Sequence, residues 1–192
     1  MKNILSSIVI LILTVNQVIA QKNPIHKITF SFLVEESLLA IDPESETDEV
    51  KKELAMAAAF ALLFNADDKP IAEIWVNKDY IRATSGILTE NYEIVDKKND
   101  IHNIIYPSLE SYHISHPESS ASWVHNYDVK LIPGEEKIIA GYTCKLAKIE
   151  LTEDINQKYE VSIWYTEAIP SIYWGEYAYL KKVPGAALQI ST

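Results

Sequence analysis

Four histidines in the middle of the chain are the residues whose chemistry is best tested by their spacing. The histidines are His102, His113, His116 and His125, and the carboxylates near them are Asp96, Asp100, Glu110 and Glu118. His113 and His116 are three positions apart, and on a strand an odd offset places two side chains on opposite faces. A zinc site also needs three or four ligands at fixed geometry. The spacing therefore favours solvent-facing histidines, and we expect no bound metal and no other cofactor.

The chain has one cysteine, Cys144, so an internal disulfide is excluded. Strand alternation places Cys144 beside Tyr142 and Leu146 on one face. Small thiols are commonly buried, whereas a nucleophilic thiol needs an activating histidine or a helix N-terminus. A buried thiol is the favoured interpretation, and a bridge to another chain is the alternative. The chain also lacks a Gly-rich phosphate loop, a Gly-x-Ser-x-Gly elbow and a His-Glu-x-x-His pair. We therefore predict no catalytic residues and no enzyme.

The composition is that of a folded, acidic protein. Hydrophobic residues make up 48% of the 192 residues and charged residues 23%, as in ordinary globular domains. The formal net charge is −10, and the densest basic clusters are the isolated pairs Lys51-Lys52, Lys97-Lys98 and Lys181-Lys182. Phosphate backbones are bound through larger clusters of lysine and arginine. We therefore expect no nucleic-acid partner.

The first twenty residues have the pattern of a signal peptide. Lys2 provides the positive start, Ile8–Leu13 is an apolar run, and Val18-Ile19-Ala20 ends in a small residue suited to cleavage. The alternative, an uncleaved membrane anchor, needs about 20 apolar residues, more than this run contains. Cleavage after Ala20 removes one positive charge, which changes the net charge from −10 to −11. We predict an exported protein, periplasmic or secreted, with no stable membrane span after signal removal and one domain over 21–192.

One long helix is predicted near the N-terminus. Asp42 suits the helix cap, Pro43 suits the first helical position, and helical periodicity continues to about Phe64. The apolar stripe comprises Val50, Leu54, Ala57, Ala58, Ala61 and Leu62, widened by Phe60, Leu63 and Phe64. We expect such a helix to pack across a sheet. Its Ala57-Ala58-Ala59 run also leaves room beside the sheet for an apolar ligand.

The rest of the chain consists of strand patterns separated by turn residues. A first strand is expected within Ile25–Ala40, and further strands follow from Ile71 at intervals of about ten residues. The turn signals are Ser85-Gly86, Lys97–Asp100, Pro107–Glu110 and Pro133-Gly134. We take the block from Ile138 onward as the organiser of a single sheet. The predicted fold class is α+β, a curved antiparallel β-sheet meander with one long N-terminal helix packed on it.

Aromatic residues are concentrated between the last two predicted strands. The run from Ser171 to Tyr179 reads SIYWGEYAY. Tyrosine and tryptophan combine apolar area with a polar tip, so they suit sheet packing and contact surfaces equally. A connection between strands has less need of so many aromatic side chains than a strand has. We therefore interpret this run as a lid or a contact surface.

Short motifs in the C-terminal two-thirds resemble those of a known family. In order, they are Ile74-Trp75-Val76-x-x-Asp79-x-Ile81-Arg82, Ile94-Val95-Asp96, Ile139-Ala140-Gly141-Tyr142-x-Cys144-Lys145, Trp164-Tyr165-Thr166 with Ile169-Pro170, and Val183-Pro184-Gly185-Ala186-Ala187-Leu188. Together they resemble the GLPGLI family of exported bacterial proteins over roughly Ile71 to Ser191. This chain keeps only the Pro-Gly centre of the naming motif, with Lys182, Ala186 and Ala187 departing from it. The resemblance implies export but no activity, because the family has none established.

Two functional hypotheses follow. The first is a non-enzymatic envelope protein that binds an apolar ligand or lipid between helix and sheet. The alternative is an interaction or assembly module of the cell envelope that uses the aromatic loop and sheet edges. A large apolar cavity under the helix favours the first hypothesis, and a filled core with an exposed aromatic patch or a long open edge strand favours the second.

Overall fold

The computed structural model describes residues 15–18, 23–32, 34, 40–42, 44, 47–66, 70–85, 90–115, 127–154 and 157–191. Eleven strands and one α-helix lie in these ranges. The strands are β1 (Val15–Val18), β2 (Ile25–Phe30), β3 (Ala72–Val76), β4 (Tyr80–Ser85), β5 (Tyr92–Asp96), β6 (Ile101–Tyr106), β7 (Ser111–Ser115), β8 (Tyr127–Ile139), β9 (Tyr142–Asp154), β10 (Gln157–Thr166) and β11 (Ala186–Ser191). The helix α1 spans Glu49–Ala66, and 3-10 segments span Pro107–Leu109 and Gly175–Lys182.

The strands form two antiparallel sheets. The first has the order β1-β2-β3-β4-β5-β6-β7, in which each strand pairs with its neighbours in sequence, and the second has the order β11-β10-β9-β8. The antiparallel meander is therefore confirmed, but the expectation of a single sheet is wrong. Twisted open sheets rarely exceed about ten strands before they split into two packed layers.

The hydrophobic core forms between the two sheets. Alternate residues of β2 and β3 are buried, as expected for strands with one covered face. The core cluster joins side chains of β2 to β5 with side chains of β9 to β11 and of the segment between β10 and β11. Its largest fully buried members are Phe30, Ile28, Ile74, Ile81, Ile149, Leu151, Ile163, Ile169, Ile172, Leu180 and Leu188.

The helix differs from the expectation of one long N-terminal helix packed on the sheet. It begins at Glu49, whereas the predicted first helical residue, Pro43, lies outside the described residues. Its buried side chains are those of Ala55, Ala58 and Ala61, and the predicted stripe residues Ala57 and Leu62 are exposed. The three buried alanines do not belong to the core cluster between the sheets. Packing of the helix on the sheet is therefore not shown. In the part of the chain that the structure describes, no helix has the length and apolar character needed to cross a membrane.

The turn between β8 and β9 fixes the register of the longest strand pair. Ala140 and Gly141 both have positive φ, 49° and 83°, and Ile139 lies opposite Tyr142. Two consecutive residues at positive φ are typical of the tight hairpin turns whose twist matches that of the strands. The predicted strand end at Pro133-Gly134 is wrong, because β8 runs through these residues with a register shift between Ile132 and Glu136. A bulge accommodates the proline at an edge strand.

Candidate functional site

The aromatic run from Ser171 to Tyr179 lies mostly in the core. Trp174 is 4% exposed and packs against Phe30, with ring centroids 5.8 Å apart. The same ring stacks on Tyr177 at 4.7 Å. Tyr173 and Tyr179 are also buried. The interpretation of this run as a lid or contact surface is therefore wrong, because these side chains fill the space between the sheets.

Two lysines fasten this aromatic run and the residues after it to the first sheet. Lys97, in the turn between β5 and β6, donates hydrogen bonds from Nζ to the carbonyl oxygens of Asn77 and Ser171, at 2.9 and 2.6 Å. Lys181 forms an ion pair of 2.9 Å with Asp100 of the same turn. The β5–β6 turn thus holds the connection between β10 and β11 from two sides.

Lys97 carries the largest resolved change of pKa in the described residues. Burial lowers its pKa to about 8, and the neighbouring Asp79 carboxylate opposes this shift. These two hydrogen bonds go to backbone carbonyl groups, which are fixed elements of the fold. Lys97 therefore has a structural role, although its pKa is closer to neutral pH than that of an ordinary lysine.

Two histidines are buried, and one of them, His102, is among the four that we expected to face solvent. His102 is fully buried, and its Nε2 lies 2.6 Å from Oε2 of Glu93. The backbone of Gly175 approaches this pair so closely that an added Cβ would lie 2.9 Å from Glu93 Oε1. His26 is buried as well, whereas His113 is exposed. His116 and His125 lie outside the described residues.

Neither metal ligation nor thiol chemistry is supported by the described residues. They contain no group of three or more His, Cys, Asp and Glu side chains arranged to hold a metal ion. The Cys144 side chain is fully buried, its thiol lies 3.6 Å from the carbonyl oxygen of Tyr142, and burial raises its pKa. The favoured interpretation of Cys144 as a buried thiol is confirmed, and a raised pKa is the opposite of what a nucleophilic thiol requires.

The longest strand edge without a neighbouring strand in the described residues is the outer edge of β8. This 13-residue strand pairs with β9 on one side and has no strand on its other side within the described ranges. Its side chains are exposed or half-buried throughout, with Leu131 54% and Ile138 67% exposed. The opposite edge strand, β11, is mostly buried. The sequence of β8 has the pattern of a strand followed by a tight turn. That pattern does not indicate that the strand lies at the edge of a sheet.

A second edge lies nearby in sequence. β7 is the last strand of the first sheet, and it exposes Tyr112 and Ile114. Leu109, in the short 3-10 turn before β7, is exposed too. The two sheets therefore each end in a strand with exposed apolar side chains, and these two strands are consecutive in the chain.

A cleft of about 270 Å³ lies where the two sheets meet. The start of β2, the β3–β4 turn and the segment after β10 surround it. Its lining residues are Asn23, Pro24, His26, Lys78, Glu167, Ala168 and Pro170. Burial lowers the pKa of His26, so its imidazole is neutral at physiological pH. Pro170 belongs to one of the motifs that carry the family resemblance, but the sequence did not indicate a cleft, because its walls come from three distant segments.

A scan against protein-family models finds no matching family, and comparisons with curated proteins and with solved structures find no match. The resemblance to the GLPGLI family therefore rests on the short motifs alone and stays a prediction. Function has to be inferred from the geometry of the chain itself.

Proposed function

We propose that the protein is a non-enzymatic interaction module that binds an extended segment of another protein along the open edge of β8. The observation that carries this proposal is a 13-residue strand with one paired side and exposed apolar side chains. An unpaired strand edge presents a row of backbone N–H and C=O groups, and adding a strand there is a common mode of peptide recognition. Because export is predicted from residues 1–20, the partner is an envelope or extracellular protein.

The bulge restricts the proposed docking to one half of β8. Natural edges are protected from uncontrolled pairing by proline, bulges and charged side chains, and Pro133, Glu135 and Glu136 provide all three after Ile132. The segment Tyr127–Ile132 contains neither proline nor a bulge, and it pairs in continuous register with β9. It does carry the charged, exposed side chains of Asp128 and Lys130, and Lys182 donates a hydrogen bond to the carbonyl oxygen of Tyr127 at its start. We therefore place the added strand along Tyr127–Ile132, with Leu131 as its apolar contact.

Two adjacent proline substitutions test this proposal. Along an antiparallel edge strand, alternate residues point their N–H groups outward and inward. Of Val129→Pro and Lys130→Pro, one therefore removes an outward N–H and the other breaks a hydrogen bond to β9. We expect one variant to keep the wild-type melting temperature and lose partner binding, and the other to melt lower. Lys130→Ala is the matched control with the donor retained.

Site-specific photo-crosslinking in the native envelope supplies the partner for this test. A crosslinker at Leu131 should give a discrete heterologous adduct, and one at Met56, an exposed residue of α1, should not. Binding of the purified partner segment is then measured against the proline variants by calorimetry. Equal adducts at both positions, a homodimer only, or full binding by a folded variant without the outward N–H would each refute docking on β8.

A second candidate function is apolar-ligand binding beside α1. Ala55, Ala58 and Ala61 are buried but lie outside the core between the sheets, so a different set of atoms covers them. Phe60, Leu63 and Phe64, the large apolar residues that widen the predicted stripe, belong to α1, but their side chains lie outside what the structure describes. Native mass spectrometry of protein taken from its own envelope is expected to show a bound apolar molecule, and Ala58→Phe should remove it by filling the space. If no adduct is seen and Ala58→Phe unfolds the protein, α1 is packed as core and this function is excluded.

A further inference from the structure

The cleft between the two sheets has a polar residue at its most buried point. His26 is 5% exposed, and its Nδ1 is buried without a hydrogen-bond partner among the described residues. Buried polar atoms in folded proteins are nearly always hydrogen-bonded, and leaving one unsatisfied is costly. His26 also lines the cleft, so a molecule bound there can contact the part of the ring that remains accessible, whereas the Nδ1 atom itself is enclosed.

Charges of both signs stand at the exposed part of the cleft. Lys78 is exposed in the β3–β4 turn, and Glu167 is exposed just after β10. Glu167 is oriented by Lys145, whose Nζ lies 2.8 Å from its Oε1. The side chain of Asn23 is directed toward Asp79, with its Nδ2 3.4 Å from the carboxylate oxygen. Among the described residues, the cleft therefore combines the lysine Lys78, the carboxylate Glu167 and the imidazole of His26.

The walls and the size of the cleft limit what it holds. Pro24, Ala168 and Pro170 contribute small apolar surfaces. Its volume of about 270 Å³ is below the roughly 300–1,000 Å³ of pockets for drug-sized ligands. A ligand of a few heavy atoms with an apolar side and two opposite charges matches these properties.

We propose that this cleft binds a small zwitterion of amino-acid size. Its carboxylate pairs with Lys78, its ammonium group pairs with Glu167, and contact with the accessible part of the His26 ring fixes its position. Binding here uses no residue of β8, so it is independent of the proposed strand docking. The same chemistry is offered by a free amino acid or, in part, by the first or last residue of a peptide.

Three probes separate these sources in an NMR titration of the full-length mature protein. L-leucine carries both charges, L-leucinamide lacks the carboxylate as an N-terminal peptide residue does, and N-acetyl-L-leucine lacks the ammonium as a C-terminal residue does. We expect L-leucine to shift amide resonances of Asn23–His26, Lys78 and Glu167–Ser171, together with the ring nitrogens of His26. Each of the other two probes should bind about tenfold more weakly, the loss expected for one charged contact.

Charge variants assign each contact. Lys78→Gln should weaken L-leucine about tenfold and leave L-leucinamide unchanged, since the amide has no carboxylate to lose. Glu167→Gln should weaken L-leucine and leave N-acetyl-L-leucine unchanged. Lys98→Gln is the matched control, because Lys98 is an exposed lysine in the β5–β6 turn that does not line the cleft. It should leave the affinity for all three probes unchanged.

Several results would overturn the proposal. They are the absence of any shift with L-leucine, equal binding of all three probes, shifts spread over the surface, and an unchanged His26 ring. Preferential binding of the amide or of the acetylated probe would assign the cleft to a peptide end and exclude the free zwitterion. None of these results bears on strand docking, which the β8 variants test separately.

Discussion

The aromatic run from Ser171 to Tyr179 and the strand β8 show opposite relations between sequence and exposure. The first is dense in tyrosine and tryptophan and lies mostly in the core. The second contains proline, glycine and several charges, and it exposes two large aliphatic side chains. Residue type alone would assign the two roles the other way round. Burial depends instead on the contacts that each segment makes with distant parts of the chain.

The contacts that decide this are long-range. Lys97 reaches a carbonyl 74 residues away, and Lys181 reaches a carboxylate 81 residues away. These two contacts hold the connection between β10 and β11 against the β5–β6 turn. β8 also has long-range lysine contacts, since Lys182 donates a hydrogen bond to the carbonyl oxygen of Tyr127 and Lys137 donates one to the side chain of Gln189. However, β8 has a single neighbouring strand in the described residues. The difference teaches that the candidate surface is a strand edge that no second strand covers in the described residues.

The largest expected effect concerns Gly185, at the end of the buried connection. An added Cβ would lie 2.1 Å from the carbonyl oxygen of Thr166, a backbone atom that cannot move aside. Gly185 has no positive φ, so close approach, and not a special backbone conformation, is the reason for glycine here. We expect Gly185→Val to lower the free energy of unfolding by about 3 kcal/mol, the upper end for overpacking a core.

Thermal or denaturant unfolding measures this effect. Pro184→Ala, at the exposed neighbouring position, is the control and should be nearly neutral. If Gly185→Val leaves the free energy of unfolding unchanged, the connection between β10 and β11 is not tightly packed. The contrast between this buried connection and the exposed strand β8 would then be wrong.

Lys97→Met tests the attachment of the same connection through its pH dependence. The folded pKa of about 8 lies below the ordinary value of 10.5, so between these pH values the unfolded chain binds more protons than the folded one. Wild-type stability contributed by this group therefore rises as the pH increases from 8 to 10.5. Because the group is partly exposed, we expect a rise of about 1–2 kcal/mol, less than the full shift implies.

The variant cannot titrate at this position, so its free energy of unfolding should lack that rise. Denaturant melts of both proteins across the pH range give the difference directly, which cancels the titration of tyrosines and of Cys144. If the difference in free energy of unfolding between the two proteins does not change with pH, the lowered pKa of a buried Lys97 is contradicted.

A smaller effect is expected at the turn that sets the register of β8. Ala140 has a φ of 49°, a conformation that asparagine tolerates better than alanine. Ala140→Asn should therefore raise the free energy of unfolding by about 0.5–1 kcal/mol, since Asn-Gly is the preferred pair in such hairpin turns. Partner binding to β8 should stay unchanged, and a loss of binding would show that the turn itself takes part in docking.

The sequence was sufficient for the local features and insufficient for their assembly. The turns at Lys97–Asp100 and Pro107–Glu110 were predicted, and they connect strands as expected. These features depend on neighbouring residues only. The split into two sheets, the burial of the aromatic run and the cleft around His26 depend on contacts between distant segments, which no local pattern encodes.

The prediction of export has the simplest measurement. Signal peptidase should cut after Ala20 and leave Gln21 as the first residue. The intact mass of the protein collected outside the cytoplasm decides this, and a mass that still includes residues 1–20 would show that the segment is retained.

Because β1 pairs with β2, the predicted cleavage would remove a strand from the first sheet. Val15 lies opposite Ile28 and Val18 opposite Ile25, so the border strand of the first sheet comes from the segment that the peptidase is expected to discard. Precursor and mature chain would then be two different β-proteins, with seven and six strands in this sheet. Before cleavage the leader shields the backbone of Ile25–Phe30, and afterwards these amides should exchange hydrogen with solvent faster.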